Sequence, residues 1–176
     1  MSSNVSDPLI AVLDVGKTNA KLSLVDPSTA AEVWNTRRAN TVVDTDAGRE
    51  LDVHGIEHWL LDALRTTPQR DRIARIVPIA HGAAAVLLDA NGNVIAAPDY
   101  EDSRCEGMNA QYARQRDAFA DTYSPSLPLG LNLGRQLFFL QHTRAELFAR
   151  AAHLLLYPQY WAWRLSGGSA GLASEV

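Results

Sequence analysis

The chain has 176 residues, 47% of them apolar and 20% charged, with a net charge of −4. That length can bury a real core, the composition is neither disordered nor fibrous, and the acidic balance implies no basic face for nucleic acid. The single cysteine, Cys105, cannot form an internal disulfide and has no histidine near it in sequence; together with the absence of a hydrophobic leader or a membrane-length apolar run, this fits a reducing cytoplasm.

Residues 1–8 read as a loose tail. Leu9–Leu13 and Lys21–Val25 read as paired strands, and Glu32–Arg38 adds a third, so the chain opens as an antiparallel meander. The only two lysines lie in its first corner, Asp14-Val-Gly-Lys-Thr-Asn-Ala-Lys21. Asp44–Asp52 is polar and reads as a loop. His54–Leu64 has helical spacing, with Ile56, Trp59, Leu60 and Ala63 on one face. Ile73–Ala80 is a dense apolar run, expected to be a buried strand. His81-Gly82 follows it, then Ala83–Leu88, a turn at Asp89-Ala-Asn-Gly-Asn93, and Val94–Ala97 returning as a hairpin. A helix is predicted from about Ser103 to Ala120, irregular chain over Thr122–Leu133, and helices over Gly134–His142 and Arg144–Ala149. Leu154–Tyr157 reads as a short strand and Pro158–Leu165 as a helix. Strands first, then mixed strands and helices, predict an α/β layer fold.

Four segments carry candidate chemistry. Gly16-Lys17-Thr18 is not a P-loop: Ala11 stands where the first glycine belongs, and a strand follows where a helix is required. Asp14-x-Gly16-x-Thr18-x-x-Lys21 instead suits a tight turn whose main-chain N–H groups at 16–19 face phosphate oxygens, with Asp14 toward Mg²⁺ and Lys21 as a point charge. A plain hairpin explains that motif alone equally well. His54-Gly-Ile-Glu57-His58 has the order of an inverted zinc-peptidase motif, but no third ligand stands out and Gly55 weakens a helix there. His81-Gly82 ends a strand, where α/β folds place ligand groups, although a buried structural histidine is the plainer reading. Tyr100-Glu-Asp102-Ser-Arg104 gathers a ring, a carboxylate and a guanidinium suited to a sugar, or equally an N-cap with a surface ion pair.

Taken in order, these segments resemble the FGGY family of carbohydrate kinases, in the superfamily of actin and hexokinase. The phosphate turn resembles the family's Asp-x-Gly-Thr-Thr/Ser segment. His81-Gly82 with Asp89-Ala-Asn-Gly resembles its His-Gly strand and hairpin, Tyr100–Arg104 its Trp-x-Asp-x-Arg, and Tyr160-Trp-Ala-Trp-Arg-Leu-Ser-Gly167 its Tyr-Leu-x-Tyr-Arg-Leu-Thr-Gly. The resemblance implies an actin/hexokinase-like (ribonuclease H-like) α/β domain, its mixed sheet opening with the antiparallel meander and flanked by helices. It implies transfer of the γ-phosphoryl of ATP, with Mg²⁺, to a sugar or polyol hydroxyl. Asp14, Gly16, Lys17, Thr18, Asn19 and Lys21 would serve ATP and its metal; His81, Gly82, Tyr100, Asp102, Arg104 and Asn132 would serve the sugar.

Lys17 replaces the first threonine of the family pair, Tyr100 replaces tryptophan, and Gln159 stands for aspartate. With His81-Gly-Ala-Ala-Ala, these lean toward the rhamnulose- and fuculose-type branch and a ketose substrate. Residues 9–176 then read as most of the first domain of a longer kinase, whose catalytic aspartate and adenine-binding second domain lie beyond Val176. Two alternatives remain at this stage: a non-catalytic sugar-binding regulatory module, and a zinc hydrolase using His54, Glu57 and His58. The apolar helices near 134–165 offer either a homodimer face or, more simply, core packing.

Overall fold

A computed structural model describes residues 7–45 and 48–168. All but the last two residues of the tail expected over 1–8 lie outside the described residues. The chain clusters into two compact units, and neither is continuous in sequence. The first takes residues 1–41, 52–81 and 158–176; the second takes 42–51 and 82–157.

Unit one is built on a four-stranded mixed sheet whose strands lie in the order Ala31–Ala39, Asn19–Asp26, Leu9–Val15 and Ile73–Ala80. Strands β1 (Leu9–Val15), β2 (Asn19–Asp26) and β3 (Ala31–Ala39) form the expected meander. Leu9, Ala11, Leu13 and Val15 alternate as buried residues along β1, and Ala20, Leu22 and Leu24 do so on β2, so one face of the sheet is the core face. Helix α1 (Val53–Thr66) packs against β2 and buries Val53, Ile56, Leu60 and Ala63. Each fully buried Ile or Leu contributes about 1.5–3 kcal/mol. Helix α1 starts at Asp52, whose Oδ1 accepts the Gly55 N–H at 2.8 Å. A Cβ on Gly55 would lie 2.0 Å from Asp52 Oδ2. The glycine that weakened the sequence case for a helix is therefore what the cap requires.

Strand β6 (Ile73–Ala80) runs parallel to β1, as a crossover through α1 demands. It is not buried, contrary to the expectation from its apolar run. It is the edge strand, and Ile76, Val77 and Ile79 are exposed. Pro78 is tolerated for a definite reason. His81 N–H donates to Val15 O, so by alternation the N–H positions of Val77 and Ile79 also face β1, while that of Pro78 faces the open edge, where no ladder bond is lost.

Unit two holds a hairpin of β4 (Val42–Thr45) and β5 (Gly48–Leu51), and a three-stranded antiparallel sheet. The hairpin replaces the loop expected over Asp44–Asp52. In the sheet, β7 (Ala85–Leu88) lies between β8 (Val94–Ala96) and β9 (His153–Leu156). The helix expected over Ser103–Ala120 is broken into a 3₁₀ segment at Ser103–Met108, then α2 (Asn109–Ala113) and α3 (Phe119–Thr122). Its residues are mostly exposed, so no packed apolar stripe sustains a long helix. Helices α4 (Leu133–Thr143) and α5 (Ala145–Ala149) complete the unit, with Leu87, Ala96 and Leu140 at the centre of its core. Helix α6 (Tyr157–Leu165) carries the chain back into unit one, where Tyr160 and Trp161 are fully buried.

Candidate functional site

In unit one the candidate groups gather at the carboxyl ends of two parallel strands. Val15 ends β1 and receives the His81 N–H on its carbonyl at 3.1 Å, so His81 stands beside the corner that holds residues 16–19. That corner is closed by Gly16 N–H donating to Asn19 O at 2.9 Å. A Cβ on Gly16 would sit 3.1 Å from the same oxygen, so the turn would have to give by a few tenths of an ångström.

The expectation that all main-chain N–H groups of 16–19 face a ligand needs correcting, because that of Gly16 is committed to the turn. A residue that the sequence did not single out orients the rest. Asn40 donates from Nδ2 to Gly16 O at 2.8 Å and from its backbone N–H to Thr18 O at 2.9 Å. Trans peptide planes set C=O and N–H opposed, so anchoring these carbonyls turns the N–H groups of Lys17 and Asn19 away from Asn40. These two N–H groups and the Thr18 hydroxyl lie together at one strand corner. Thr18 and Asn19 are exposed, as is Asp14 just before the turn.

Lys21 is the cross-strand partner of Asp14, but its ammonium is bonded to Glu32. Ser23 Oγ and Asn35 Nδ2 also donate to Glu32, each at 2.7 Å. The Lys21 bond, followed by that from Ser23, holds the Glu32 carboxyl below its usual range. The structure thus ties Lys21 to the β2–β3 ladder rather than to the turn.

The zinc reading fails in the same unit. His54 and His58 are exposed on α1, and Glu57 accepts a 2.8 Å hydrogen bond from Arg164 Nε of α6. Among the described residues no group of three or more His, Cys, Asp or Glu side chains is placed to hold a metal ion.

In unit two, Asp102 and Arg104 form a fork. Arg104 Nε donates to Asp102 Oδ1 at 2.8 Å and Nη2 to Oδ2 at 2.6 Å. The Arg104 backbone N–H adds a 3.0 Å bond to Oδ1, so Asp102 also caps the 3₁₀ segment. The N-cap and the ion pair of the plainer reading are thus made by one carboxylate. Burial alone would raise the Asp102 carboxyl, but the hydrogen bonds from Arg104 outweigh it and hold Asp102 below the usual aspartate range.

Tyr100 is half-buried, and its phenol is pushed up by burial and by Glu101 and Asp99. Its carbonyl accepts the Gly130 N–H at 2.7 Å, an approach that leaves a Cβ on Gly130 only 3.0 Å from Tyr100 Cα. Gly82, at the boundary of unit two, is exposed and has open space where a side chain would stand. Asn132 has a different task from the sugar contact expected of it. Its Oδ1 accepts Leu127 N–H at 2.8 Å and its Nδ2 donates to Pro125 O at 3.0 Å, so the amide braces its own loop.

Two buried polar residues of α4 were not legible as part of this region. Gln136 donates from Nε2 to Ala83 O at 2.7 Å and also to Gly130 O, tying the segment after His81-Gly82 to the Tyr100 loop. Arg135 donates to Leu127 O, Leu129 O and Ser126 Oγ. Polar residues at the start of an amphipathic helix normally read as its solvated face. Cys105 is 3% exposed, donates to Asp102 O at 3.1 Å, and has its thiol pushed up by burial. It is a packing residue rather than a nucleophile.

The solved structures similar to this chain are sugar kinases of the actin/hexokinase-like fold. A carbohydrate kinase from Novosphingobium aromaticivorans superposes with a TM-score of 0.80 at 38% identity, over 90% of this chain and 33% of that one. A xylulose kinase from Rhodospirillum rubrum matches with a TM-score of 0.72 at 20% identity, over 89% of this chain and 34% of that one, a likeness of fold alone. In sequence, a rhamnulokinase from Enterobacter sp. (strain 638) is 41% identical over 91 residues, 49% of this chain and 18% of that protein. No family model matches the chain. In fold and in sequence the chain is similar to carbohydrate kinases, and it spans about a third of the length of the solved kinases it matches.

Proposed function

We propose that this chain supplies the first phosphate-binding turn and part of the sugar pocket of an ATP-dependent carbohydrate kinase, acting in the cytoplasm on a ketose such as a deoxyketohexose or a pentulose. The observation that carries the reading is the Asp102–Arg104 fork in a chain 38% identical to a solved carbohydrate kinase. A fork of this kind leaves carboxylate lone pairs and guanidinium N–H groups for the alternating hydroxyls of a sugar. Asp102, held ionised, accepts from a hydroxyl, while Arg104 donates to a neighbouring one. Tyr100, kept neutral, packs its ring at the side.

The residues of the turn also fit a phosphate group. Gly16 permits close approach, Asn40 turns two N–H groups away from itself, and Asp14 is an exposed residue two positions before Gly16. Asp14 would hold Mg²⁺, directly or through water, and the N–H groups of Lys17 and Asn19 with the Thr18 hydroxyl would hold phosphate oxygens. Bound metal would offset the negative charge of the transferring group. The base that deprotonates the sugar, and the second domain that holds adenine, belong to a later part of the parent chain in this reading.

The test is ADP release by the full-length protein against a panel of ketoses, rhamnulose and fuculose included. Sugar-dependent ADP formation is expected. Saturable sugar binding without ADP formation would instead make the protein a sugar-binding regulator.

A further inference from the structure

The β4–β5 hairpin reads in sequence as a polar loop, yet it is stitched to the segment that leads into the fork. Leu51 N–H donates to Ala97 O at 2.8 Å, and Asp99 N–H donates to Arg49 O at 3.0 Å. Glu50 accepts Ala97 N–H at 3.2 Å. Arg49 Nε donates to Asp99 Oδ2 at 2.7 Å, and Asp99 is 1% exposed. From there Asp102 N–H returns to Asp99 O at 3.0 Å. The hairpin therefore cannot retreat from the loop without breaking the ion pair to buried Asp99, two backbone bonds and the bond from Ala97 N–H to the Glu50 carboxylate.

At the head of β5 stands Gly48, buried, with φ at +133°. A Cβ there would lie 2.8 Å from Arg104 Nη2, 3.5 Å from Arg104 Cζ and 3.5 Å from Asp102 Oδ2. The bare backbone of Gly48 is thus the floor on which the guanidinium lies while it engages Asp102 in two bonds. Any side chain occupies that floor, and the stitched hairpin cannot yield to make room. Arg104 can yield, because its side chain is 52% exposed on the other side.

We infer that Gly48 is a positioning residue for sugar recognition: the missing side chain at this hairpin position sets the orientation of the Asp102–Arg104 fork. The inference rests on the reading of that fork as a sugar clamp. Gly48 would thus act through Arg104 and touch no substrate.

The experiment uses the full-length protein, with Gly48→Ala, Arg104→Ala and the double variant. Gly48→Ala should raise the KM for the sugar by about tenfold, the size of one misaligned charge-assisted contact, and leave the KM for ATP within about twofold. In the Arg104→Ala background the same glycine change should alter the sugar KM by less than about twofold, since contacts that share a partner are not additive. An equal factor in both backgrounds overturns the inference. A readout independent of turnover is the Arg104 Nε–H proton resonance, which should shift or vanish in Gly48→Ala; an unmoved resonance overturns the inference as well.

If the wild type phosphorylates no sugar but the resonance responds, the kinase reading falls and the mechanical role of Gly48 stands. Should Gly48→Ala fail to fold, rescue by the double variant identifies the clash with Arg104 as the cause. Equal failure of both shows that the glycine serves only the hairpin's backbone, and the positioning role is wrong.

Discussion

At the scale of single residues, Gly55 makes a test whose sign is informative. Replacing glycine by alanine inside a helix ordinarily stabilises by about 1 kcal/mol. Here the added Cβ would collide with the Asp52 carboxylate, which caps α1 and receives Arg38 Nη2 at 2.8 Å. Loss of a cap costs about 1 kcal/mol and displacement of a half-buried ion pair adds to it, so Gly55→Ala should destabilise by about 1–2 kcal/mol in urea unfolding. A stabilised variant would show that the cap is dispensable. Asp102 gives a pH test. Its folded carboxyl lies below the ordinary 3.8, so the fork contributes stability that is fully present above that value and lost as pH falls through the lower folded one. A carbon-detected titration should find Asp102 still ionised where an ordinary aspartate is half protonated. Asp-x-Arg was legible because both partners lie two residues apart. Gly48, Asn40 and Gln136 were not, because their partners lie 54, 56, 24 and 53 positions away and no local pattern records such distances.

At the scale of elements, β6 shows where a hydrophobic pattern misleads. Its apolar run correctly marked a strand, which the fold sets beside β1, but burial depends on what covers a strand, and among the described residues nothing covers much of β6. Two substitutions of similar chemistry should therefore differ widely. Leu13, 0% exposed on β1, should cost about 2–5 kcal/mol when replaced by alanine, whereas Ile79→Thr, at a position 51% exposed, should stay within about 0.5 kcal/mol in this chain. A large penalty at Ile79 would mean that its side chain is covered. The β4–β5 hairpin erred the other way. Its residues are polar, so propensity argued for a loop, and its strand geometry is set by pairing within the hairpin and with residues 97–99. The meander and α1 were legible because alternation and helical spacing coincide with real burial there.

At the scale of the whole molecule, the chain passes between its two units after residues 41, 51, 81 and 157, so neither unit is a removable segment. The last passage carries the largest consequence. Beyond it, α6 brings Tyr160 and Trp161 into unit one at 1% and 0% exposure, their ring centroids 5.1 Å apart, and burial pushes the Tyr160 phenol up to about 12. Deleting a buried Trp side chain costs about 3–5 kcal/mol, a large share of the 5–15 kcal/mol that holds a typical domain folded. Trp161→Ala should therefore strip amide-exchange protection from β1, β2 and α1, which share its unit. The β7–β9 ladder has its own core around Leu87, Ala96 and Leu140, and it should keep its protection. Exchange followed by mass spectrometry separates the two sets of peptides. If protection fell equally in both, the units would unfold as one cooperative body, and their division would be geometric without being energetic. If it fell in unit one alone, the corner that holds Asp14 and Gly16 would depend on a helix more than 140 residues later in the chain, which is why motif and support could not be read together from sequence.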